Sequence, residues 1–258
     1  METQFIKAPC SRRLSDPAIR NWETLLEYLW EVFKPFPMKT DQIIKILLGL
    51  QIVMPIWAFI TGDFLFKYGS AGIGALIILI LSSRRRFATP DLWMVIGAFL
   101  FSIVGDYFLS HRNGELMMFV YGILFFFVAH VGYLAYSLFN GKIHWLFTGL
   151  LCTGYLIFFF TSLYENIEDP VLLWAALAYL FVSCFSLGAA WGLSQTGWVK
   201  WGYVFGIGLI LFSDTLISFR EFMNYDRWDF LFLPTYYLAH IVITWSVSQR
   251  FRAAIAIG

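Results

Sequence analysis

Charge is scarce in this sequence. Asp, Glu, Lys and Arg make up 14% of its 258 residues, against about 25% in an average soluble domain. The 18 basic and 17 acidic side chains nearly cancel, to a net +1, which leaves no basic surface to hold nucleic acid. Cysteine is rarer still. Cys10, Cys152 and Cys184 fit neither a disulfide framework nor a metal-ligand spacing. Cys152 and Cys184 fall inside apolar runs and read as small buried hydrophobes. The four histidines are dispersed, with no His-x3-His pair. The first forty residues are too polar for a secretory signal.

Apolar residues are what the chain has in quantity, 59% of it. They come in long runs separated by short polar breaks. A core helix of a soluble protein needs one apolar stripe, whereas lipid demands apolar residues all round. The runs therefore predict an all-α, polytopic transmembrane bundle of about eight spans. These are 42–61, 68–82, 92–109, 116–138, 144–163, 171–193, 199–219 and 230–249; the second is short. The breaks carry turn and helix-stop residues, among them Asn113-Gly114, Asn140-Gly141 and Asp169-Pro170. Several tryptophans, including Trp93, Trp145 and Trp198, fall near span ends, where an indole prefers the interface.

Residues 1–40 read as a separate cytoplasmic segment, and residues 41–258 as one bundle. Asp16-Pro17 gives an N-cap and a first-turn proline. After it Trp22, Leu25, Leu26, Leu29, Trp30 and Phe33 recur at helical spacing, opposite Glu23, Glu27 and Glu31. An amphipathic helix with an acidic polar face is expected there. With eight spans and a cytoplasmic N-terminus, only Lys67, Arg112, Arg220 and Arg227 of the 18 Lys and Arg residues fall on the outer side. The short Arg84-Arg85-Arg86 loop falls inside, so both termini are expected in the cytoplasm.

Two acidic residues lie within spans: Asp106, in Ser102-Ile-Val-Gly-Asp106, and Asp214, in Leu211-Phe-Ser213-Asp214. An ionised carboxylate in hydrocarbon is costly, and such residues usually face an interior cavity. Spans three and seven run the same way, and each aspartate lies roughly fifteen residues in, or ~22 Å at the helical rise. Matched depth in the outer half of the bilayer permits a shared cavity, in which one carboxyl stays protonated and the other ionised. The alternative is that each ties helices together by hydrogen bonds. His130 and His240 each follow an alanine one span later, 24 residues after Asp106 and 26 after Asp214, a faint internal echo. Tyr133, Tyr136, Tyr236 and Tyr237 accompany them. A lone histidine in an apolar helix is commonly a hydrogen-bonded packing residue.

At these residues the sequence resembles the YhhN-like lysoplasmalogenase family of integral membrane proteins. The resemblance rests on 97–106 (Gly-Ala-Phe-Leu-Phe-Ser-Ile-Val-Gly-Asp), on the run from Phe119 through Ala-His130 to Tyr133, on Leu211-Phe-Ser-Asp214, and on Thr235-Tyr-Tyr-Leu-Ala-His240. It implies an enzyme that cleaves the vinyl ether of lysoplasmalogens to a fatty aldehyde and a glycerophospho-head group. It also implies that Asp106 and Asp214 carry the chemistry. Ser102, His130, Tyr133, Ser213, Tyr236, Tyr237 and His240 are the expected supporting or substrate-binding residues.

Vinyl ether hydrolysis needs a proton donor, an anion beside the developing cation, and water. A carboxylic acid beside a carboxylate meets those needs without metal or cofactor, as in glycoside hydrolysis. The partners expected are the lysophospholipid substrate and membrane lipid. His111, Arg112, Arg220 and Arg227 could meet a lipid phosphate, or could be plain interfacial charge. Two other readings stay open. Asp106, His130, Asp214 and His240 could bind zinc in a metal-dependent hydrolase, or the aspartates could relay protons in a transporter or lipid-sensing protein.

The topology is directly testable. A reporter active on only one side of the membrane, fused in turn to each terminus, is expected to place both in the cytoplasm. Opposite locations would make the span count odd.

Overall fold

The computed structural model describes residues 40–61, 64–83 and 90–257. The expected N-terminal amphipathic helix and the Arg84–Arg86 loop lie outside the described residues. The chain divides into two units, Met1–Ile43 and Ile44–Gly258. Apart from the start of the first helix, everything below belongs to the second.

The described residues form eight main helices and no extended strand. They are α1 (Thr40–Thr61), α2 (Phe64–Ser83), α3 (Pro90–Ser110), α4 (Leu116–Asn140), α5 (Trp145–Phe158), α6 (Pro170–Trp191), α7 (Gly197–Met223) and α8 (Asp229–Ile257). Six of them, counting α5 with the turns that prolong it, are long and apolar enough to cross a membrane. α1 and α2 carry the shorter apolar stretches Gln42–Ala58 and Tyr68–Ser83. The fold is thus the all-helical membrane bundle read from the sequence. α5 departs from a plain helix, passing into a π turn at Phe159–Leu163 and a 3-10 turn at Tyr164–Asn166.

Sequence chemistry fixes the helix ends. Asp169 caps α6, its carboxylate accepting from Leu172 N–H at 2.8 Å, with Pro170 in the first turn. The His144 ring caps α5 through Phe147 N–H at 3.3 Å. Asn224 ends α7 in the left-handed region, φ 50°, and Tyr225 N–H then reaches back to the Phe219 carbonyl at 3.1 Å.

Six helices close a ring. Contacts run α2–α3, α3–α4, α4–α6, α6–α7, α7–α8 and back from α8 to α2. α5 lies outside it, on α6, with its π turn touching α7. α1 packs on α2 through Ile44, Ile77 and Leu81. Its fully buried Gln51 donates to the Ser70 carbonyl (2.8 Å) and to Thr244 Oγ1 on α8 (2.9 Å). Polar pins set the level of each end. Where α3 begins and α4 and α8 end, Asp91 accepts from Arg250 at 2.6 Å and from Asn140 at 3.0 Å. At the other end Arg112, after α3, pairs with Glu221, near the end of α7. α3 and α7 therefore run parallel, as their charges and spans imply.

The α5–α6 crossing depends on glycine. A Cβ on Gly188 would sit 1.8 Å from Thr148 Oγ1, and one on Gly192 would sit 1.6 Å from the Lys142 carbonyl oxygen. Such close approach is how helices associate when lipid supplies no hydrophobic drive. Gly188→Ala is expected to cost about 1–3 kcal/mol as an overpacking change. Adding Thr148→Ala should recover part of it, because the hydroxyl is the nearest obstacle. Thermal unfolding in detergent reads both.

Candidate functional site

The ring gathers its polar side chains at two carboxylates. Asp106 lies six residues before Arg112 and Asp214 seven before Glu221. Both are therefore ~9–10 Å below that ion pair along their helices.

Asp214, on α7, is met from two other helices. Tyr179 of α6 donates its hydroxyl to Oδ2 at 2.6 Å. His130 Nε2, on α4, faces the same oxygen at 3.3 Å. The His130 ring is 1% exposed and stands edge-on to Tyr179, centroids 5.2 Å apart. Asp106, on α3, accepts from the Tyr236 hydroxyl of α8 at 2.9 Å. Tyr68 and Tyr237 lie within range of its charge. Tyr133 and Tyr236, both buried, lie within range of both carboxylates, and the Tyr133 hydroxyl is beside Ser102. Among the described residues no three His, Cys, Asp or Glu side chains gather as a set that could hold a metal ion.

Asp214 and Tyr179 also line an apolar pocket of about 100 Å³. Phe119, Ile123 and Phe126 of α4, Tyr155, Phe158 and Phe159 of the α5 segment, and Leu211 and Phe222 of α7 form much of its wall. Beside Asp214, the Tyr155 hydroxyl and Thr215 Oγ1 lie 2.9 Å apart, joining α5 to α7. Phe119 and Phe222 also line a second space, of about 440 Å³, with a more polar lining than the first. This vestibule carries Arg112 together with Glu115, Glu168, Asp169 and Glu221. Arg112 is held there by Glu221 and by the Phe119 ring, 5.4 Å from its centroid. Arg220 pairs with the same Glu221 at 2.8 Å and with Asp229 at 3.4 Å.

The structure brings Asp106, Asp214, Ser102, His130, Tyr133, Tyr236 and Tyr237 of the expected set to this region. It turns the other two toward backbone. Ser213 donates to the Phe232 carbonyl at 3.2 Å. His240 Nδ1 is bonded to its own helix at the Tyr236 carbonyl, 3.0 Å, and its ring packs on Tyr236 and Phe99. Tyr179 was not expected. Its only signal in the sequence is a phenol hydroxyl within a largely apolar span. The internal echo takes an unexpected form, because the partners cross: the histidine of α4 meets the aspartate of α7, and a tyrosine of α8 meets the aspartate of α3.

The model of the YhhN family matches residues 63–247. The chain belongs to the YhhN family. The matched stretch runs from the α1–α2 connection into α8 and takes in both carboxylates with every partner named above. The first forty residues and α1 precede the YhhN match. No curated protein and no solved structure matches the chain.

Proposed function

We propose that this YhhN-family protein is a membrane-embedded hydrolase. It cleaves the vinyl ether of a lysoplasmalogen, giving a fatty aldehyde and a glycerophospho-head group, with Asp106 and Asp214 as its acid–base pair. One observation carries the reading. An apolar pocket is lined by the part-buried Asp214 and shares two walls, Phe119 and Phe222, with a space rich in charged side chains. Such a pair of spaces suits a single-chain amphiphile with its reactive bond between chain and head.

The chemistry balances on protons and water alone. One carboxylic acid gives its proton to the β-carbon of the vinyl ether, leaving an oxocarbenium ion stabilised by the other carboxylate. Water adds to the cationic carbon and returns a proton to the pair, forming a hemiacetal. The hemiacetal C–O bond to glycerol breaks as its oxygen takes a proton from the pair, while the hydroxyl gives its own proton back to the pair and becomes the aldehyde carbonyl. Arg112 meets the phosphate, and the vestibule carboxylates suit an amine on the head group. With both termini in the cytoplasm, the vestibule opens on the outer side.

The test is aldehyde release from lysoplasmalogen by purified, monodisperse protein. Asp106→Asn and Asp214→Asn are each expected to abolish it, since Asn keeps size but can neither donate the proton nor carry the charge. The double variant should be hardly worse than either single one, as for groups that act as a unit. Chelators should not inhibit. Full activity in either Asn variant would remove that residue from the mechanism. Inhibition by chelator, reversed by added zinc, would favour the metal-dependent hydrolase. Lipid accumulation in vesicles without product would favour a transporter.

Arg112→Gln should raise KM about tenfold while kcat stays within twofold, the loss of roughly one charge-assisted contact. Saturation curves with a lysoplasmenyl-ethanolamine substrate measure this. An unchanged KM would take Arg112 out of head-group binding.

A further inference from the structure

We infer that Tyr179 is a positioning residue for Asp214, acting with His130 as a clamp on one carboxylate oxygen. The inference rests on the proposed hydrolysis for its kinetic consequence but not for its geometry. Tyr179 donates to Oδ2 at 2.6 Å, and His130 Nε2 stands 3.3 Å from that same atom. The two come from α6 and α4, neighbours in the ring, while Asp214 comes from α7. A carboxyl on a single helix can rotate about χ1 and χ2. Two partners held on separate helices restrict that freedom, because turning the carboxyl breaks both contacts at once.

The clamp selects which oxygen works. Both contacts fall on Oδ2, so Oδ1 is the oxygen left to address the pocket that Asp214 lines. The Tyr179 ring lines that pocket as well. It is also held edge-on by the His130 imidazole, so the hydroxyl is aimed by packing as well as by the carboxylate. Tyr179 thus serves the site without needing to touch the reacting atoms. Misplacing a reactive group by about 1 Å can cost ~100-fold in rate.

The kinetic test separates aim from packing. Tyr179→Phe keeps the ring and its contact with His130 but removes the donor. It should lower kcat by about tenfold to a hundredfold, with KM within twofold. A residue that only packs would leave kcat unchanged in that variant, and that result overturns the proposal. His130→Gln, whose amide N–H can reach Oδ2, should retain most of kcat, whereas His130→Ala should lose it. Equal losses in the two would assign His130 a proton-transfer role and overturn the clamp.

A second measurement needs no turnover. In wild-type protein carrying carboxyl-13C aspartate, the infrared band of Asp214 is identified by its loss in Asp214→Asn. Tyr179→Phe should shift that band, since a strong donor to one oxygen is gone. An unmoved band overturns the clamp even in an active enzyme. A shifted band in protein that releases no aldehyde would uphold the clamp while sinking the proposed hydrolysis.

Discussion

A carboxyl held within the apolar part of a bundle must find hydrogen-bond donors from the protein, because lipid offers none. That requirement organises the middle of this molecule. Asp214 draws on Tyr179 and His130, and Asp106 on Tyr236. Each donor sits on a helix other than the one that carries the carboxylate. Satisfying the two aspartates therefore means joining α3 to α8, and α7 to both α4 and α6. The polar site thus braces helices that the ring contacts alone leave apart.

The donors are suited to their depth. Tyrosine presents an apolar ring to the helix packing and one hydroxyl to a partner. It can satisfy a carboxylate without bringing a second charge into the interior. Formal charge pairs are kept for the ends, where Arg250 meets Asp91 and Arg112 and Arg220 meet Glu221. Water can reach the exposed part of those guanidinium groups. These pins fix the axial register of α3 against α8 at one end and of α3 against α7 at the other. A shift of one helix by a single residue would move an aspartate ~1.5 Å away from its hydroxyl.

Much of this was legible before any coordinates. The spans were plain because lipid imposes continuous apolar runs that no soluble core needs. Asp106 and Asp214 stood out for the same reason, as the acidic residues within those runs. Their partners were harder to read. Proximity in sequence favoured Ser213, next to Asp214, yet a helix turns 100° per residue and carries it to the Phe232 carbonyl. His240 was flagged by the echo of His130, but it lies one turn beyond Tyr236 and bonds its own helix. Tyr179 could not be distinguished from a packing tyrosine, because its role depends on α6 lying between α4 and α7. That adjacency is tertiary and leaves no mark in hydropathy. The π turn that ends α5 is equally silent.

The crossing of partners also explains why the two carboxylates are not equivalent, despite similar depth and similar local sequence. If the halves repeated faithfully, His240 would stand to Asp106 as His130 stands to Asp214. Instead Tyr236 occupies that place, and the imidazole is turned back onto its own backbone. Asp106 is thus set among tyrosines, in range of Tyr68, Tyr133 and Tyr237 besides its bond to Tyr236. Asp214 has an imidazole and a phenol on one oxygen and the apolar pocket beside it. The two carboxylates thus have different surroundings. Here the difference comes from axial level on α8, because Tyr236 and His240 share one buried face and stand one helical turn apart. The asymmetry between the two carboxylates is therefore built by the axial level at which α8 stands within the ring.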